Sequence, residues 1–197
     1  MRLFIFCRHA ESILNLERRI NGDPTRDVPL TDRGRQEASE LGAMLANIAV
    51  DVCVHTRFPR TARTAEIALA GRDVRFEVEP LLDDIDIGDL EGKSLEDYRA
   101  WKHEHARRDA FPGGESLDDA AGRYAEAFRR LLGRRFGSVL VVTHEIPIRY
   151  ALNGAVRSDT LDGPAHKIPN ATPYLFDEAG LERAVVGIEA VLARVPM

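Results

Sequence analysis

The 197-residue chain has the length of one ordinary domain and enough material for a core of its own. Its 44% hydrophobic and 30% charged residues exclude a disordered chain, and a net charge of -5 excludes the basic surface of a generic nucleic-acid binder. No stretch approaches the ~20 apolar residues of a membrane helix, and the N-terminal apolar run is too short for a signal peptide and ends in charge. A cytoplasmic protein without membrane or nucleic-acid partners is therefore expected.

In chain order, Leu3–Cys7 is a continuous apolar run, read as a buried central strand. A helix is expected from Thr31 to about Ala49, with Ala38, Leu41, Leu45 and Ile48 on one face. Val52–Val54 reads as a strand, Arg60–Ala70 as a helix, Val74–Val78 as a strand and Asp83–Gly92, acidic with two glycines, as a loop. A helix follows from Ser94 to about Arg107. Ser116 caps another, whose stripe is Leu117, Ala121, Tyr124, Phe128 and Leu131. Ser138–Thr143 is the strongest buried-strand signal. Thr172–Phe176 and Leu181–Ile188, joined across Asp177-Glu178-Ala179-Gly180, read as a terminal hairpin. Strands alternating with helices predict a three-layer α/β/α sandwich with a mostly parallel central sheet, in a single domain over 1–197.

Two of these strands end alike. Leu3–Cys7 runs into Arg8-His9, and the strand ending at Thr143 runs into His144. Parallel neighbours bring both histidines to the sheet edge where such folds bind ligands. Either histidine alone reads as a hydrogen-bonded strand-end residue; the pair beside Arg8 reads as a site. Between Thr56 and Ala65 the chain adds Arg57, Arg60 and Arg63. Arg57 and Arg63 are read as solvated, while Arg60, near a helix start beyond a strand end, is expected to enter the same pocket. Two arginines, two histidines and a helix N-terminus suit a doubly charged phosphate.

Cys7 and Cys53 lie in apolar runs, as in a reducing compartment, and have no metal-type spacing; no metal or other cofactor is expected. His144-Glu145-Ile146-Pro147-Ile148 begins like a zinc-protease helix, but position 148 is isoleucine and Pro147 is expected to interrupt it. Asn170-Ala171-Thr172 matches a glycosylation acceptor by chance. His103 and His105, with Lys102 and Arg107-Arg108, read as a solvated basic face, the alternative being a cover over the site.

Several ordered segments resemble the histidine phosphatase superfamily in its phosphoglycerate mutase-like branch. Arg8-His9-Ala10-Glu11-Ser12-Ile13-Leu14-Asn15 is similar to its nucleophile segment, and Asp27 to Ala38 to its next signature. Arg60 to Glu66 resembles the arginine segment and Asp84 to Gly92 the general-acid loop. Pro112-Gly113-Gly114-Glu115-Ser116 and Val141-Val142-Thr143-His144 complete the order over almost the whole chain.

The resemblance implies a metal-independent phosphomonoester hydrolase in which His9 forms a phosphohistidine. Arg8, Arg60 and His144 would stabilise the phosphoryl oxygens, and Asn15, Gly22 and Glu145 would contact substrate. Asp84 would be the acid, with Asp83 and Asp86 as alternatives. Three positions depart from the family pattern: Ala10 and Glu145 stand where glycine is usual, and Asp84 where glutamate is usual. Glu145 is open to repelling highly anionic substrates, pairing with Arg8 or with a basic group of the substrate, or pointing to solvent. Only Lys93–Phe111 separates Gly92 from Pro112, shorter than the insertion usual in the mutases, which favours hydrolysis over phosphoryl return. A phosphomutase and a non-catalytic phosphate binder are the alternatives. The partner expected is a small phosphorylated metabolite; its identity, and whether the chain forms a homodimer, are left open.

Overall fold

The run Leu3–Arg8 forms β1, and its apolar content reflects where it sits, with Phe4, Ile5, Phe6 and Cys7 all inaccessible to solvent. The structure is a computed structural model that describes residues 2–194. After β1 come α1 (Ile13–Leu16), α2 (Asp32–Met44), β2 (Val52–His55), α3 (Pro59–Ala68) and β3 (Arg75–Val78). Then follow α4 (Leu95–Glu104), α5 (Leu117–Gly133), β4 (Ser138–Thr143), α6 (Glu145–Ala155), β5 (Pro173–Asp177) and α7 (Glu178–Leu192).

The five strands lie in the order β3-β2-β4-β1-β5, all parallel except β5, which runs antiparallel to β1. Strand periodicity divides the core in two. Phe4, Phe6, Val139 and Val141 face one way, onto α5, α6 and α7, while Ile5, Cys7, Leu140 and Val142 face the other way, onto α2 and α3. Phe6 meets Phe128 and Phe176 edge-on at centroid distances of 5.3 and 5.6 Å. Such contacts fix rotamers as well as removing apolar area from water. This is the α/β/α sandwich read from the sequence.

The C-terminal hairpin fails in its second half: residues 181–188 are helical. Asp177 caps α7, its Oδ1 accepting the Gly180 N–H at 2.6 Å, so Asp177-Glu178-Ala179-Gly180 is a helix start rather than a turn. Leu181, Ala184, Val185 and Ile188 are buried at the i, i+3, i+4, i+7 spacing of a helix face. A Cβ on Gly187 would fall 2.0 Å from the Gly154 carbonyl oxygen, so α6 and α7 pack backbone to backbone there.

Pro147 likewise does not interrupt α6. It occupies the first turn, where a missing N–H costs no intrahelical bond. The helices expected over 31–49 and 94–107 are shorter, ending at Met44 and Glu104. No helix among the described residues is long and apolar enough to cross a membrane.

Candidate active site

The register Arg8↔Thr143 in the β1–β4 pair places the next residues, His9 and His144, side by side. The His9 N–H donates to the Thr143 carbonyl at 2.9 Å, and the two imidazole centroids are 5.4 Å apart. Arg60 reaches between them from the first turn of α3, its guanidinium 4.3 Å over the Phe58 ring. Its Nε donates to His9 Nε2 at 3.0 Å, and its Nη2 to His144 Nδ1 at 3.1 Å and to Asp84 Oδ2 at 3.2 Å. Its Nη1 bonds Asn21 Oδ1. His9, Arg60 and His144 are all at most 4% exposed.

These contacts assign both tautomers. A carbonyl only accepts, so the bond between His9 Nδ1 and the Ala10 oxygen, at 2.8 Å, places the proton on Nδ1 and the lone pair on Nε2. A guanidinium only donates, so His144 Nδ1 carries a lone pair and Nε2 donates to Thr56 Oγ1 at 3.0 Å. Burial, followed by Arg60 and Arg8, pushes the His9 pKa well below its usual value. Burial and then Arg60 do the same to His144. Burial also lowers Arg60 to about 10, which leaves it charged at neutral pH.

Of the three acidic candidates only Asp84 enters this cluster. Its side chain is 26% exposed and its Oδ2 lies 3.4 Å from His144 Nδ1. Burial raises its pKa, an effect that Arg60 opposes. Asp83 turns away to accept the Arg57 N–H at 2.9 Å and Nε at 2.5 Å, while Arg57 itself is exposed, as read from the sequence. Asp86 is exposed and accepts the Gly88 N–H. Arg63 is exposed, pairing with Glu66.

Arg8, Asn15, Gly22 and Glu145 join the same cavity, of about 850 Å³. Asn15 closes a capping box on Ser12, its Oδ1 accepting the Ser12 N–H, which leaves its amide nitrogen for a ligand. The Gly22 N–H donates to Glu91 Oε2 at 2.6 Å, and a Cβ there would lie 2.3 Å from the Ile85 carbonyl oxygen. Glu145 neither points to solvent nor stands alone: its Oε2 is 2.8 Å from Arg8 Nη1 and its Oε1 bonds Arg149. Ala10 is buried with an ordinary negative φ, so its methyl group is accommodated where glycine is usual.

Helix α4 departs from its expected solvated face. Leu95, Tyr98, Arg99, Lys102 and His103, at helical spacing, line the cavity, while His105 stacks on Trp101 at 4.2 Å. Arg107 is also partnered, with Asp118 at 2.9 Å and Asp162 at 3.1 Å.

Two residues were not legible as site residues in the sequence. Asn170, matched there only by a glycosylation pattern, donates from Nδ2 to the His9 carbonyl at 2.6 Å and lines the cavity. Its neighbours add Ala171 N–H to Arg8 O at 3.0 Å and Arg8 Nη1 to Ile168 O at 2.8 Å. This clamp needs Ala171 at φ 48°, a left-handed conformation that costs a β-carbon residue ~1 kcal/mol. Arg123 on α5 gathers the carbonyls of Leu81, Asp83 and Asp84 at 2.8–2.9 Å and pairs with Glu115, fixing the loop that carries Asp84. The polar face of α5 gave the only signal for it.

A carboxyl whose pKa burial raises, a neutral imidazole lone pair and two guanidiniums around one cavity can transfer a phosphoryl group. Comparison with known proteins agrees. A Salmonella choleraesuis protein named "Probable phosphoglycerate mutase GpmB" is 32% identical over 151 residues, 72% of this chain and 68% of its own length. The structure of Bacillus stearothermophilus YhfR superposes with a TM-score of 0.77 at 27% identity, over 90% of this chain and 91% of that one. A putative alpha-ribazole-5'-P phosphatase from Escherichia coli shares the fold, with a TM-score of 0.78 at 21% identity over 88% and 89% of the two chains. The histidine phosphatase superfamily (branch 1) profile matches residues 4–189, and the chain belongs to that superfamily.

Proposed function

We propose that the chain is a phosphomonoester hydrolase of the acid phosphatase type, acting on a small phosphorylated metabolite through a phosphohistidine. The observation that supports this most is the tautomer of His9, whose bond to Ala10 O leaves the Nε2 lone pair facing Arg60, beside His144 and Asp84. In the first step Nε2 attacks phosphorus, the P–O ester bond breaks and protonated Asp84 gives its proton to the leaving oxygen. In the second, water attacks the phosphohistidine, Asp84 takes its proton and the N–P bond breaks, releasing inorganic phosphate. Arg8 and Arg60 hold the equatorial oxygens, and the Asn15 amide adds a neutral donor. His144 stays neutral: its Nε2–H donates to Thr56 and its Nδ1 accepts from Arg60, aiming that guanidinium at the phosphoryl oxygens.

These arginines supply the positive charge that a divalent ion would otherwise bring, so turnover in EDTA is expected. Gly22 shapes the wall by letting the backbone approach Ile85. One domain over 1–197, a cytoplasmic setting and no membrane or nucleic-acid partner complete the reading.

A phosphomutase is the second reading, favoured by the name of the Salmonella relative. Against it, α4 is one ten-residue helix that buries no residue completely beside a large cavity, a poor seal against water. A screen of phosphorylated metabolites and p-nitrophenyl phosphate, measuring both released phosphate and isomerised product, separates the readings. Isomerisation without phosphate release would establish the mutase, and no turnover from mildly acidic to neutral pH would leave only a binding protein.

A further inference from the structure

Glu145 stands in an unexpected place for a phosphate pocket. As the first residue of α6 it benefits from the helix N-terminus, and Arg149, one turn later, already pairs with it. Arg149 also holds Asp162 at 3.1 Å and the His166 carbonyl at 3.1 Å, so that end of the pair is anchored. The contact with Arg8 is additional, and it engages a cation that a phosphoryl oxygen needs. Arg8 is held by the Ile168 carbonyl through the same Nη1 that lies 2.8 Å from Glu145. With His9 and His144 neutral, the pocket floor sets two guanidiniums, Arg8 and Arg60, against Glu145 and the proposed proton donor Asp84.

We infer that Glu145 is an intramolecular competitor for the phosphoryl site, a carboxylate that weakens the hold of Arg8 on every oxyanion. The inference rests on the phosphatase reading, because it needs Arg8 to carry the phosphoryl group. Its carboxylate opposes a bound dianion in the substrate complex, the phosphoenzyme and the product complex alike, a near-uniform change in binding. A hydrolase gains from this, since inorganic phosphate is released rather than retained. A mutase, which must keep its phosphoryl group, does not. Arg149 keeps Glu145 within reach of Arg8 while partly screening it.

The simpler alternative is that Glu145 braces Arg8 for substrate, and the two roles differ in sign. Calorimetric titration of the full chain with inorganic phosphate, wild type against Glu145→Gln, reads that sign at equilibrium and without turnover. The competitor role predicts phosphate bound about tenfold more tightly by the glutamine variant, a gain that shrinks as salt rises. The KM for p-nitrophenyl phosphate should fall in parallel. Equal or weaker phosphate binding by Glu145→Gln would overturn the inference and make Glu145 a brace. A wild-type protein that releases no phosphate from p-nitrophenyl phosphate would overturn the phosphatase reading, and this inference with it.

Discussion

The two walls of the cavity are built differently. The wall made by the ends of β1 and β4 and the start of α3 carries His9 and Arg60, with His144 packed behind them, none more than 4% exposed and each held by at least two hydrogen bonds. The wall made by α4 has no fully buried residue and is attached to the core through Tyr98 and Trp101, which pack on Phe111. Chemistry needs placement within fractions of an ångström, and only an element buried on both faces supplies that. Recognition of a leaving group tolerates the looser wall.

That contrast can be broken most directly at Arg60. Arg60→Lys keeps the charge but loses the fork that touches both histidines, Asp84 and Asn21, and should lower kcat/KM about 10²–10³-fold. A loss under threefold in steady-state assays would mean that the buried wall is not where the rate is made. Asp84→Asn removes the proton donor and should slow alkyl phosphates about 10²-fold or more, with p-nitrophenyl phosphate affected far less. Equal losses on both substrates would point to another acid.

Asn170→Ala tests the clamp on the nucleophile. About tenfold of kcat should be lost with KM little changed, because the His9 carbonyl loses a 2.6 Å bond while the phosphate donors remain. On the looser wall, Lys102→Ala and His103→Ala should change p-nitrophenyl phosphate turnover about twofold or less, while shifting KM among metabolites with larger leaving groups.

A pH titration sharpens the same contrast. His9 and His144 have folded pKa values below their unfolded ones, so their contribution to stability is present above the unfolded value, about 6.5, and is lost as pH falls below it. Urea midpoints should fall between about pH 6.5 and 5 in the wild type and fall less in a His9→Asn/His144→Asn double variant. Parallel curves would contradict the neutral, buried imidazoles.

Much of the buried wall was readable from the sequence, because an apolar run ending in a charged residue identifies both a central strand and its functional edge. Arg8-His9 and Thr143-His144 are such ends, and Arg60 follows a third. The pieces that escaped depend on contacts between distant segments. Asn170 touches His9 across 161 positions, and no local pattern announces that bond. Glu145 was legible as a departure with Arg8 among its open partners; placing α6 beside β1 selects that pairing, and Arg149 joins it one turn along α6. Residues 181–188 were misread because a short run with Val185, Val186 and Ile188 resembles a strand although Leu181, Ala184, Val185 and Ile188 keep the spacing of a helix face, and Asp177 serves a turn and a helix cap equally well. Lys102 and His103 look solvated in a polar helix until the helix is found to face a cavity rather than water.

The central claim is that His9 Nε2 carries the phosphoryl group. Rapid alkaline quench of the protein mixed with ³²P-labelled substrate, followed by peptide mapping at alkaline pH, tests it most directly. Alkali-stable, acid-labile label on the peptide containing His9, lost in His9→Ala, is the result expected. Label on another residue, or label retained by His9→Ala, would contradict the account.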